Sequence, residues 1–256
     1  MRANYHTHTW RCGHASGKER EYVEKAIEGG LKVLGFSDHT PYPFPNGYSS
    51  GFRMSLGQFD EYVKTVLDLR DEYCSDIVIH LGVEAEYYPA YFADLQRFIS
   101  DYPVEYFLLG QHYLENEIGA VSGAWATADE GVIRRYCEQT KEAMATGCFT
   151  YFAHPDMINY IGNRTVYDKY IRELCRNANH FDMPLEMNFL GLYEGRHYPN
   201  RRFWKIAGEE GCKVIFGADA HRPEAVWRPE VTAMAERMVQ EYGLKLVEDV
   251  RLRRPF

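Results

Sequence analysis

Lys213-Val214-Ile215-Phe216-Gly217-Ala218-Asp219-Ala220-His221 is the stretch from which the rest of the chain can be read. Val214, Ile215 and Phe216 form a short apolar run of β-branched and aromatic type, bounded by Gly217, as in a buried strand. The run leads into Asp219 and His221. Side chains at i and i+2 of an extended segment point the same way, so these two can grip one metal ion together.

The same pattern recurs upstream. A short first strand ends at His6-Thr7-His8. Residues 32–36 read as a strand ending at Ser37-Asp38-His39, and residues 77–83 as one ending at Glu84. Residues 106–109 lead to His112, residues 149–153 end at His154, and residues 184–189 make a sixth run. Amphipathic stretches separate them and predict helices over about 18–28, 90–99, 166–179, 200–211 and 223–242. Two more helices are expected, one opened by a capping box at Ser55 and Gln58, the other capped by Thr127 and running to Thr146. Strands alternating with helices predict an α/β protein with a parallel sheet. Seven such units in 256 residues match the length of one α/β barrel. The chain shows no linker and no internal repeat, so a single domain over 1–256 is expected.

In a parallel barrel the strand ends share one face, where active sites sit. His6, His8, His39, Glu84, His112, His154, Asp219 and His221 therefore converge, and His14 lies on the first loop, close enough to fold over the same mouth. One histidine at a strand end is usually structural; the set is not. Imidazole and carboxylate ligands suit Zn, Mn or Fe. Nine candidates exceed one tetrahedral ion and suit two or three. His80, His180 and His197 fall outside the pattern and are expected to be structural or solvent-facing.

These residues carry a family resemblance. His6-Thr7-His8, Asp38-His39, Gly82-Val83-Glu84, His112, His154 and Asp219-Ala220-His221 resemble the motif set of the PHP (polymerase and histidinol phosphatase) family. The resemblance implies a distorted (β/α)7 barrel, TIM-barrel-like, with three divalent metals per chain. It further implies that His6, His8, Glu84 and Asp219 hold one metal, that Glu84, His112 and His154 hold a second, and that His14, His39 and His221 hold a third. Glu86 stands two residues from Glu84, so position alone leaves both open; the family pattern favours Glu84. Within the family, 108–112, 152–156 and 186–200 are similar to stand-alone histidinol-phosphate phosphatases. L-histidinol phosphate is thus the expected substrate, with another small phosphate ester as the alternative.

Metals meet the demands of phosphoester hydrolysis by acidifying water and by orienting and neutralising the phosphate. A basic leaving alkoxide calls for a general acid, for which Asp219 and His221 are the candidates. Arg196, Arg164, Arg53 and Arg222 lie in βα loops and are candidates for phosphate contacts, Arg196 first. A related barrel hydrolase of C–N or C–O bonds would use a bridging carbamylated lysine, but Lys32 and Lys213 sit at the opposite ends of their strands.

A net charge of −8 argues against a nucleic-acid partner. No apolar run reaches the ~20 residues of a membrane span. The six cysteines form no CxxC pair, and buried reduced thiols are expected. With no apolar leader at the N-terminus, a cytoplasmic protein is expected. The 20 Tyr and 14 Phe are expected to pack the barrel. Oligomeric state is not legible in the sequence.

Overall fold

The computed structural model describes residues 1–256, apart from the side chain of Asn46. Its strands are β1 (Ala3–Asn4), β2 (Val33–Phe36), β3 (Val78–Ala85), β4 (Tyr106–Leu109), β5 (Phe149–Phe152), β6 (Leu185–Asn188), β7 (Lys213–Gly217) and β8 (Lys245–Leu246). They pair in parallel and in chain order. Helices α1 (Glu19–Glu28), α2 (Phe59–Glu72), α3 (Phe92–Ile99), α4 (Glu130–Ala145), α5 (Arg164–His180), α6 (Phe189–Glu194), α7 (Arg201–Glu209) and α8 (Pro229–Tyr242) connect them.

The seven expected strands are present, and the sheet curls so that the chain beyond β1 meets the chain beyond β7. Beyond β1 and β7 the chain pairs again at Thr7 and Ala220, where the His8 N–H donates to the Ala220 carbonyl at 2.9 Å. The eighth strand was not expected. It is two residues long and pairs with β7 at Lys213 and Val214, at the opposite end of the barrel.

Period-2 alternation sorts side chains into two cores. Tyr106 and Leu108 of β4 point inward with Tyr5, Tyr151 and Ile215, while Phe107 and Leu109 pack under the helices. The aromatic residues pack the barrel, as read from composition. A Cβ at Gly82 would lie 2.3 Å from the Tyr106 ring, so this ring fits only because position 82 lacks a side chain. Val247, Val250 and Leu252 of the C-terminal tail pack against this inner cluster.

Several boundaries differ from the sequence reading. Thr127 does not cap α4; it bridges to Tyr160, and Asp129 caps the helix through Gly131 N–H. The sixth strand stops at Asn188, whose side chain accepts from Gly191 N–H and starts α6 at Phe189. The last helix starts at Pro229, after a separate 3-10 turn at Pro223–Ala225. Cys74 is exposed, while the other five cysteines are buried thiols. Among the described residues, no helix is long and apolar enough to cross a membrane.

Candidate metal centre

All nine ligand candidates meet at the C-terminal mouth of the barrel. His6 and His8, on the extension of β1, point the same way, with their Nε2 atoms 3.1 Å apart. Asp219 Oδ1 lies 3.1 Å from His8 Nε2 and 3.5 Å from His6 Nε2. Glu84 sits centrally: Oε1 is 2.8 Å from His154 Nε2 and 3.7 Å from His112 Nε2, and Oε2 is 3.0 Å from His39 Nδ1. His14 Nε2 faces His221 Nε2 at 3.0 Å. His14, His39 and His221 bring ligand atoms within 4.8 Å of one another, as do His6, His8 and Asp219. His154 and Asp219 both turn through positive φ, 33° and 49°, as they leave their strands. Non-glycine residues rarely hold this conformation outside over-determined sites.

Behind the ligands stands a second set of acceptors. Glu186 Oε1 lies 2.8 Å from His6 Nδ1, Asp38 Oδ1 3.3 Å from His8 Nδ1, and Glu86 Oε1 2.8 Å from His112 Nδ1. The Cys12 and Asp219 carbonyls do the same for His14 Nδ1 and His221 Nδ1. A ring whose one nitrogen donates outward turns a lone pair inward, the tautomer a metal ligand needs. Glu86 is therefore engaged behind His112, while Glu84 faces the cluster. Glu186 was missed in the sequence. It also accepts from the His154 backbone N–H and from Asn188 Nδ2, which in turn reaches Asp219 Oδ2. Glu186 and Asn188 are at i and i+2 on β6, the same signal read at His6 and His8. Glycines make room for the buried carboxylates: a Cβ at Gly110 would lie 2.0 Å from Glu84 Oε1, and one at Gly217 only 1.6 Å from Glu186 Oε1.

The donor set fits divalent cations. His39 Nδ1, Glu84 Oε2 and His154 Nδ1 are buried without a hydrogen-bond partner. His39 Nδ1 and Glu84 Oε2 face each other at 3.0 Å without hydrogen-bond geometry. The electrostatics agree. Burial pushes His6 down, but Glu186, Asp219 and Glu84 outweigh it and hold the imidazole well above its usual pKa. Burial likewise opposes His8, which hydrogen bonds to Asp219 and Asp38 raise to about 9. The cluster thus draws protons to balance its carboxylates, and metals compete with protons for these atoms.

Seven of the nine ligand candidates, all but the deeper His6 and His8, line a cavity of about 590 Å³. One wall is the stacked pair Phe52 and Tyr113, with ring centroids 5.7 Å apart; the other carries Glu194, Arg196, His197 and Tyr198. Arg196 donates from Nη1 to Tyr198 Oη at 2.7 Å and from Nε to Glu194 at 2.9 Å. Among the described residues no lysine lines the cavity, in line with the reading against a carbamylated-lysine centre.

Two of the expected phosphate contacts, Arg53 and Arg164, are corrected, and Arg222 stands beside the cavity rather than in it. Arg53 is buried, with its guanidinium bound to Glu86 Oε2 at 2.9 Å, to Glu117 and to the Thr40 carbonyl, and has no donor to offer a substrate. Arg164 begins α5 on the exposed surface and does not line the cavity. Arg222 lines a neighbouring cleft. His197, expected outside the site, is on the cavity wall, with Nε2 2.8 Å from the Met157 carbonyl. His80 pairs with Glu105 away from the centre, and His180 ends α5.

Comparisons with known proteins agree with this architecture. A probable histidinol-phosphatase of Deinococcus radiodurans is 28% identical over 235 residues, covering 86% of each chain. The histidinol-phosphatase of Bacillus subtilis is 23% identical, covering 85% of this chain and 92% of its own. The crystal structure of a histidinol phosphate phosphatase from Lactococcus lactis, complexed with zinc, L-histidinol and phosphate, superposes with a TM-score of 0.72. It is 19% identical and covers 96% of this chain and 95% of its own. The PHP domain family model matches residues 4–189. The chain belongs to the PHP domain family.

Proposed function

We propose that the chain is a metal-dependent phosphomonoesterase that hydrolyses L-histidinol phosphate to L-histidinol and phosphate, with residues 1–256 acting as one catalytic domain. The observation that carries this reading is the convergence of the histidine, Glu84 and Asp219 ligand atoms on the floor of one cavity walled by Arg196. The substrate follows from the relatives, whose names describe histidinol-phosphatases over most of the chain. Asp219 and His221 lie beyond residue 189, where the family match ends, yet β7 carries them back to the same centre.

The residues suit three ions: His6, His8, Glu84 and Asp219 for one, Glu84, His112 and His154 for a second, and His14, His39 and His221 for a third. Zn, Mn and Fe all accept such ligands. When bound, divalent cations lower the pKa of water and neutralise phosphoryl oxygens. Glu186, Asp38 and Glu86 hold the imidazoles in the tautomers that present lone pairs. The phosphoryl group lies against the histidine floor, and Arg196 reaches it from the wall.

Asp219 and His221 are the candidates for giving a proton to the leaving alcohol oxygen. In the metal-free protein burial, with the charge of His8, pushes the His221 imidazole down to about 3, and its Nδ1 is committed to a carbonyl. Burial raises the Asp219 carboxyl, but His6, His8 and His221 outweigh it and keep it well below the usual carboxylate range.

Kinetics with L-histidinol phosphate beside a panel of nucleotide, sugar and aryl phosphates tests the reading, with released phosphate as readout. The expected result is a kcat/KM for histidinol phosphate well above the others. An equal or higher value for another ester transfers the assignment to that substrate.

A further inference from the structure

A second cleft, of about 170 Å³, opens beside the metal centre. It shares His14, Leu190, Glu194 and His221 with the main cavity, so the mouth histidines stand between the two. Its other wall is built on the exposed ring of Tyr193, in α6. Two arginines meet that ring: Arg228 Cζ lies 3.5 Å from the ring centroid and Arg222 Cζ 5.3 Å.

Most arginines near the centre are neutralised, Arg53 by Glu86 and Glu117, Arg196 by Glu194, and Arg228 by Glu230, to which its Nε donates at 3.0 Å. Arg222 makes no side-chain hydrogen bond or ion pair among the described residues. A guanidinium stacked on an aromatic face is held by its plane, while its N–H donors stay in that plane and open to a partner. Both guanidiniums line the same cleft, and an anion seated there is within the field of both, with the Arg222 charge uncompensated. The Tyr193 phenol already responds: the Arg228 and Arg222 guanidiniums pull its pKa down.

We propose that Arg222, Arg228 and Tyr193 form an oxyanion subsite, separate from the metal ligands, that takes a phosphate dianion. The in-plane donors of the two arginines give charge-assisted hydrogen bonds to its oxygens. The phosphatase role of the subsite rests on the function proposed above. A phosphate crossing between the metal centre and solvent past His14 and His221 meets this cleft, either as the product leaving or as the phosphoryl end of the ester arriving.

Equilibrium dialysis of the zinc-loaded protein against radiolabelled inorganic phosphate at low ionic strength tests the subsite. Two phosphates per chain are expected. Arg222→Gln removes an exposed, unpaired side chain, and Arg228→Gln provides a second, independent variant. Each should weaken one of the two sites by roughly tenfold or more and leave the other. Wild-type affinity at both sites in both variants overturns the proposal. Failure of the phosphatase reading shows separately, as absence of turnover on every ester while the dialysis result stands. Steady-state kinetics tell the two sources apart. A raised KM for the ester with unchanged kcat marks substrate capture, and a change from mixed to purely competitive inhibition by phosphate marks product exit.

Discussion

His14 Nε2 and His221 Nε2 face each other at 3.0 Å, although 207 residues separate them in the chain. Both rings place Nδ1 against a backbone carbonyl, of Cys12 and of Asp219. With those protons on Nδ1, two lone pairs converge, an arrangement that a shared cation stabilises. His14→Ala should therefore lose about one metal equivalent per chain and retain the rest. Metal content by mass spectrometry, with a circular dichroism spectrum to show an intact fold, checks this. Full metal content in the variant would remove His14 from the ligand set.

Glu186 makes a different kind of contribution. It touches His6 Nδ1, the His154 backbone and Asn188, and it faces Gly217 where no side chain fits. Glu186→Gln keeps the size and removes the charge that orients His6. Metal affinity should fall about 10–100-fold, as for other partners of ligating histidines. Competition with a chelating dye reads this directly, and an unchanged affinity refutes the role.

Arg196 lines the cavity wall with its guanidinium half in solvent. Arg196→Ala should lower kcat/KM for histidinol phosphate by about 10–100-fold, the loss of charge-assisted hydrogen bonds to phosphate, while leaving metal content unchanged. Steady-state kinetics showing wild-type kcat/KM would move the phosphate contact elsewhere.

Stability of the metal-free protein should depend on pH in two directions. His8 is raised to about 9 in the folded protein, so its contribution is complete below the unfolded value of about 6.5 and is lost as pH rises through 9. His221 is lowered to about 3, so folding excludes a proton that the unfolded chain binds, and stability is lost as pH falls below about 6.5. Calorimetry should place the highest Tm of the chelated protein near pH 6.5, and bound metal should suppress the loss on the alkaline side. A Tm that rises steadily from pH 6.5 to 9 without metal would contradict the charge balance described for His6 and His8.

The convergence of the ligand candidates was legible because each signal is local. His6 and His8, or Asp219 and His221, need only the two-residue period of a strand and the shared face of a parallel barrel. Arg53 was not legible. Its partners Glu86 and Glu117 lie 33 and 64 residues away on other loops, and nothing local separates a buried ion-paired arginine from one that waits for phosphate. Thr127 looked like a helix cap, and its hydroxyl does accept from a backbone N–H, that of Asp129 just ahead of the helix; its own backbone bridges to Tyr160, a pairing that forms only when two loops meet. Glu186 was within reach, since Glu186-Met187-Asn188 repeats the polar i, i+2 pattern of the ligand strands. It differs from them in standing behind a ligand candidate, His6, rather than in the cluster itself.

In the proposed reaction, turnover depends on metals held at this barrel mouth. The most direct measurement strips the protein with chelator, returns a single divalent metal in stepwise equivalents, and follows hydrolysis of L-histidinol phosphate at each step. Turnover should vanish on stripping, return with added metal, and level off near three equivalents per chain. Full turnover in metal-free protein would exclude a metal-dependent reaction at this site.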